Sequence, residues 1–402
     1  MSGTGRPVFK RIHIIMKKNK ERSIASLLKE KRNLWFLLLI PAAAMYLISV
    51  NNREAAENVF ARESYRIYSE TLSRINDIFP FSVLEIGVML LVPLTLIATV
   101  IGILRIFIIR NQEKTAKVRV ERGLRFLRNI LLLGTVLLFW FMLGCGTNYY
   151  RYEFAEFSGL TIEKSSKEEL AGLFAELVQK TNKARAELDL GEGEVFYSKL
   201  SFSEKAEEAS KAMYRLGEEY EILEGYYPDI KPVLLSRVMS QFGITGMYSP
   251  FTVEANVNND SPEYLRAMNA CHELSHLRGF MREDEANYIG YLGCVGSDNA
   301  EFRYSGYVCA LIHIGNKLYD ADRDRYYELA AGYSDGVRLD MIAANEYWDS
   351  FRDTEIGETL SNAGESMNNA YLNANGIKDG TKSYGRFADL LLAEYRLRLK
   401  EK

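Results

Sequence analysis

Residues 33–50, 86–109 and 130–146 form three apolar runs that constrain this chain more than any other feature. A helix needs on the order of 20 residues to cross a hydrocarbon core of about 30 Å. A water-soluble helix of that length keeps a polar face, and these runs have none. The middle run is interrupted by Pro93 and by Arg105, which lies near one end where its stem can snorkel to the interface. The sequence therefore predicts a membrane domain over 34–146 with three transmembrane helices, at about 34–50, 86–109 and 130–146.

Charge orients them. Residues 1–33 carry ten Lys/Arg and two Glu, and the 110–128 loop carries seven Lys/Arg and two Glu. Both belong in the cytoplasm by the positive-inside rule. The 51–82 loop, with four Arg and five acids, suits the opposite face, so residues 147–402 are expected to form an extracytoplasmic domain. The basic leader is too long for a cleaved signal peptide and no small-residue site follows it, which predicts a retained anchor. Met142-Leu143-Gly144-Cys145 resembles a lipoprotein box only faintly, since it follows two earlier spans. The 147–402 region holds 43 Asp/Glu against 28 Lys/Arg, which argues against a nucleic-acid partner. Arg105 is the one charge within the spans and no interrupted-helix pattern accompanies it, which argues against transport. Cys145, Cys271, Cys294 and Cys309 are too few for a disulfide scaffold and read as small buried hydrophobes.

The region after 147 reads as mainly α with a minor β element. Apolar residues recur at helical spacing from 164 to 223, with Ser165 or Ser166 as a cap and Glu168 or Glu169 completing a capping box. A turn at Gly191-Glu192-Gly193 interrupts the pattern. Residues 243–257 alternate β-branched and aromatic with small or polar residues, and Pro250 within them predicts an exposed-edge strand pair. Further helices are expected near 303–319, from 320 to 347 and over 385–400.

Chemistry concentrates in Cys271-His272-Glu273-Leu274-Ser275-His276, an HExxH. Residues four apart share a helix face, so both imidazoles can meet one Zn²⁺, with Glu273 placed to take a proton from a metal-bound water. Ser261-Pro262-Glu263 offers a helix start, and Tyr264, Leu265, Met268, Leu274 and Leu277 an apolar lining. A catalytic zinc needs a third protein ligand. On an unbroken helix Glu283 would stand about 10 Å along the axis from His276. Gly279, however, can end the helix and reverse the chain. A returning helix from near Met281 brings Glu283 to the metal and Asn287, one turn on, to a ligand imidazole. Glu285 would point roughly 200° away from Glu283 and is the weaker candidate.

The HExxH followed by Glu-x-x-Ala-Asn at 283–287 resembles the zincin peptidases whose third ligand is a glutamate. That resemblance implies a zincin-like helical domain over 147–402, His272, His276 and Glu283 as zinc ligands, and Glu273 as general base. More of the chain is similar to bacterial membrane proteins grouped as domain of unknown function 3810. The similarity runs from Phe79-Pro80-Phe81-Ser82 through Ser249-Pro250-Phe251-Thr252-Val253-Glu254-Ala255-Asn256-Val257-Asn258 and the HExxH helix to Arg303-Tyr304-Ser305-Gly306-Tyr307 and Lys382-Ser383-Tyr384-Gly385. It implies the same topology and zinc chemistry.

The expected activity is hydrolysis of a peptide or protein substrate by a membrane-anchored zinc metallopeptidase. Segment 248–258 would bind substrate by strand addition. Tyr304, Tyr307 and His313 on the next helical stretch could supply a transition-state donor, with Tyr304 the candidate taken, although aromatics on a helix more often pack as core or interface residues. The alternative is a non-catalytic membrane scaffold or signalling protein in which the metal is structural or absent. His13, in the leader, is excluded by topology.

Overall fold

The computed structural model describes residues 27–107, 115–191, 193–375 and 385–400. His13, residues 110–114 of the basic loop, Glu192 and residues 382–384 lie outside them. The described chain is 75% helix and 3% strand, with one three-stranded sheet, in keeping with a mainly α fold. Three helices are long and apolar enough to cross a membrane: Lys31–Asn51, Val83–Leu104 and Val118–Gly144.

Two compact units divide the chain. One takes residues up to Ala44 and Met89–Trp140, the other Met45–Val88 and Phe141–Lys402. In the first lie the start of α1 (Leu39–Asn51, entered through the 3-10 turns Lys31–Leu38) and most of α3 (Val83–Phe107) and α4 (Thr115–Gly144). The third apolar helix thus begins well before residue 130. Its basic first turns continue the helix because Arg, Glu and Leu are good helix formers. Glu121 and Arg125 also pair one turn apart at 2.9 Å.

The second unit contains the segment expected to be a plain loop at 51–82. It folds as a π-helical stretch, Ala56–Tyr65, followed by α2 (Arg66–Asp77). The acids that balance its arginines find partners far along the chain. Glu57 accepts from Arg151 Nε at 2.9 Å and Nη2 at 2.8 Å, with both residues fully buried. Glu70 meets Arg278 at 3.2 Å and Asp77 meets Lys231 at 3.0 Å. These long-range pairs lie within the unit that holds Met45–Val88 and that the chain re-enters at Phe141, so 51–82 shares a unit with the region after 147.

Ser166 and Glu169 form the expected capping box at the start of α5 (Lys167–Ala186), and α6 (Phe202–Glu219) opens with a second box at Ser201 and Glu204. The sheet follows as β1 (Lys231–Pro232), β2 (Gly246–Ser249) and β3 (Glu254–Val257), with α7 (Ser236–Gln241) between the first two. Strand order is β1-β3-β2, with β3 parallel to β1 and antiparallel to β2 in the register Tyr248↔Ala255. Of the expected edge pair, only β2 is an edge; β3 is central and buried throughout. Pro250 sits in the connection, where no ladder hydrogen bond is asked of it.

Helices α8 (Glu263–His276), α9 (Glu283–Val295) and α10 (Ala300–Ala321) pack under the sheet around Cys271, Leu274, Ile289, Phe302 and Leu311. The acidic stretch resolves into α11 (Arg323–Ala330) and α12 (Asp335–Arg352). A helix that the pattern did not reveal follows, α13 (Glu355–Ala374), in which Gly357 and Leu372 alone are buried. The last is α14 (Gly385–Lys400). All four cysteines are free and buried, and Cys145 packs with Tyr65, Tyr149, Met281 and Leu372 as an ordinary core residue.

Candidate metal centre

Helix α8 enters through Pro262 as its N-cap. Ser261 does not cap it, because its hydroxyl donates to Asn258 O at 2.9 Å. Tyr264, Met268, Cys271 and Leu274 bury one face, and the helix carries His272 and His276 one turn apart, their rings perpendicular with centroids 4.9 Å apart. The chain then tightens. Gly279 takes φ +83°, and a Cβ there would press against Arg151 Nη1 and Asn148 Nδ2 at 3.0 Å each. Only glycine meets both demands without strain. Arg151 Nη1 donates to Arg278 O at 2.6 Å and Tyr65 Oη to His276 O at 2.7 Å, so two side chains from elsewhere in the unit pin the turn.

Helix α9 begins at Glu283, two residues later than Met281, with Arg282 as N-cap. Glu283 Oε2 lies 3.2 Å from His272 Nε2, and one ligand atom from each of His272, His276 and Glu283 falls within 4.8 Å of the others. Asn287 Oδ1 lies 2.9 Å from His272 Nδ1, and Phe280 O lies 2.6 Å from His276 Nδ1. Each imidazole is therefore held through Nδ1, leaving Nε2 for a metal. Glu285, the other candidate, is structural: buried, it accepts from Phe154 N at 2.7 Å and from Arg282 at 3.2 Å.

Glu273 is 5% exposed and its Oε2 has no hydrogen-bond partner. Strand β2 passes directly over it, since a Cβ on Gly246 would collide with Glu273 Oε1. A buried, unpartnered carboxylate oxygen beside two imidazoles and a second carboxylate is a set of polar groups that a cation with its water would satisfy. The donor set, two nitrogens and one oxygen with no thiolate, suits Zn²⁺ with an open position. The residues present thus fit the metal that the motif implies.

Electrostatics agree. Burial opposes charge on His272, but the Glu283 carboxylate, with Glu273 and Asn287, outweighs it and raises the ring to about 9. Burial, then the charge of His272, pushes His276 down to about 4. Burial, reinforced by Glu283, lifts Glu273 to about 8. Without metal, then, a proton sits between His272 and Glu283. Because the His272 value is raised, that pair stabilises the metal-free fold fully below about pH 6.5 and loses its contribution as pH rises through about 9. A metal must displace the proton. Calorimetric zinc titrations at pH 7 in two buffers of different ionisation enthalpy should show release of at least one proton per metal bound; no release would contradict a His272 ligand.

Tyr304 is not at this cluster. It is fully buried, its hydroxyl donates to Asp340 Oδ2 at 2.5 Å and its ring packs on Phe196. Asp340 in turn holds Arg185 Nε at 2.7 Å, so Tyr304 serves a core network. Tyr307 packs against the core beneath Lys180, and His313 packs on Phe387, with burial pushing its ring down to about 4.

Other tyrosines surround the cluster instead. Tyr248 stands 5.6 Å, ring to ring, from His276 and shares a 2.8 Å hydrogen bond with Tyr65. Tyr149 donates to Tyr371 Oη at 2.8 Å. Burial above all, then neighbours that include Glu283, raises Tyr149 far above the usual phenol range, so it stays protonated. The separation of these tyrosines in sequence left no local signal. The one available was the density of tyrosine around 148–152, which reads equally as membrane-interface aromatics.

Fold and site together define a helical, membrane-associated protein bearing a His–His–Glu cluster on two helices joined by a glycine turn. The chain belongs to the family described as Protein of unknown function (DUF3810), matched over residues 60–392. No curated protein and no solved structure matches it.

Proposed function

We propose that this protein is a membrane-anchored zinc metallopeptidase. The observation that carries the reading is the convergence of His272, His276 and Glu283 within 4.8 Å beside the unpartnered carboxylate of Glu273. Zn²⁺ bound there would supply Lewis acidity toward a carbonyl oxygen and acidify a water. Glu273, buried beside the cluster with one carboxylate oxygen unpartnered, accepts a proton and returns it to the leaving amine. Asn287 and Phe280 O orient the two imidazoles. The free edge of β2, rather than the whole 248–258 segment, receives the peptide or protein substrate as an added strand, since Gly246 sets that edge against Glu273. Tyr371, accepting from Tyr149, has its own proton outside that bond, and this pair replaces Tyr304 as candidate for stabilising the developing oxyanion.

Topology follows the same reading. The Arg151–Glu57, Arg278–Glu70 and Lys231–Asp77 pairs join segment 51–82 to the chain beyond 146, which supports one side of the bilayer for both, in keeping with three spans. The basic leader and the 110–128 stretch assign the other side to the cytoplasm and the cluster to the extracytoplasmic face. Purified full-length protein should cleave unstructured peptides from a mixed library, lose that activity on chelation and regain it with Zn²⁺. Cleavage indifferent to the chelator, or none with metal bound, would sink the reading.

A further inference from the structure

Two neighbouring segments of the C-terminal unit expose large apolar side chains where the second apolar span begins. Ile78 is 76% exposed, and the exposed rings of Phe79 and Phe81 that follow it lie tilted against each other with centroids 5.6 Å apart. Leu234 is 70% exposed, with Leu235, the N-cap of α7, and Val238 in its first turn also exposed. Hydrogen bonds hold these segments side by side. Asp77 Oδ1 accepts from Asp229 N at 3.0 Å, and Glu85 accepts from Leu234 N and Leu235 N at 2.8 Å each. Glu254 accepts from Val83 N and Leu84 N at 2.8 Å each, fixing the first turn of the span to the sheet.

Leu234 and Leu235 are thereby registered to Glu85, two residues inside the apolar helix Val83–Leu104. We infer that residues 78–81 and 234–238 form a second membrane contact, a wedge that enters the lipid interface beside this span and seats the unit on the bilayer surface. Three features favour lipid as the occupant. The patch is continuous with a helix that must itself meet lipid. Single exposed apolar residues are ordinary on protein surfaces, but a contiguous group marks an interaction site. The backbone N–H groups at 234 and 235 are also satisfied by Glu85, as backbone at membrane depth requires, and the same bonds neutralise the cost of an acid there. The inference stands on the span and its register alone, independently of the metal reading.

The test uses the full-length protein in phospholipid nanodiscs. Nitroxide labels are placed at Ile78→Cys, Leu234→Cys and Val238→Cys, with Tyr327→Cys, 58% exposed on α11, as control; all four native thiols are buried and so are poor labelling targets. Paramagnetic relaxation should show an oxygen-to-nickel accessibility ratio several-fold higher at 78, 234 and 238 than at 327. Labels at 234 and 238 as open to the nickel chelate as the control would overturn the proposal. Ile78 and Leu234 are 76% and 70% exposed, so their substitutions disturb little packing, and the thermal unfolding of each labelled variant, Tyr327→Cys included, checks that the fold is retained.

Discussion

Replacing Glu273 by Gln is expected to slow peptide hydrolysis by a factor of about 10²–10⁴ while zinc stays bound. The carboxylate is not among the three clustered ligands, so its loss leaves His272, His276 and Glu283 in place. Gln preserves volume beneath Gly246, where added bulk would displace β2. It cannot take up a proton, which is the one function assigned to Glu273. Unchanged folding and metal content with lost turnover would separate this role from a structural one. A Glu273→Gln protein that binds zinc and hydrolyses peptides like wild type would remove the proposed base.

The second large effect lies outside the cluster. Arg151 and Glu57 form a fully buried pair, and Arg151 also holds Arg278 O and lies 4.2 Å from the Phe280 ring centroid. Arg151→Met keeps the stem but leaves the Glu57 charge buried, with Arg62 at 3.0 Å as its remaining ion pair among the described residues. Removing one partner of such a pair costs about 3–5 kcal/mol. The unfolding midpoint in detergent should fall by roughly 10 °C. The double variant Glu57→Gln/Arg151→Met should lose less than the single, because no charge is then stranded. Metal affinity should weaken in the single variant as well, since the turn that brings Glu283 to His272 rests on that guanidinium. A single variant as stable as wild type would show that the 51–82 segment does not brace the site.

The parts of the site encoded within about fifteen residues were legible. HExxH spacing places two imidazoles on one face, Gly279 marks the reversal, and the helical period sets Glu283 and Asn287 on one face with Glu285 turned away. What escaped depends on contacts across long stretches of chain. Arg151 and Glu57 are 94 residues apart, and Tyr149 and Tyr371 are 222 apart, so no local pattern pairs them. Tyr304 misled because helical periodicity identifies a buried face without saying which layer it faces; here it faces Asp340. Helix α13 carries too few apolar residues for its period to stand out, and β1 is two residues long and contains Pro232. The helix that carries the third apolar run starts well before the run itself, because hydropathy locates the apolar part of a helix, whereas its arginine-rich first turns are equally helical.

The most direct test is metal content of the purified full-length protein after zinc loading and gel filtration, compared with Glu283→Ala and Glu285→Gln. One zinc per chain in wild type and in Glu285→Gln, with little or none in Glu283→Ala, is the predicted result. Stoichiometric zinc in Glu283→Ala, or no stoichiometric metal in wild type, would contradict it.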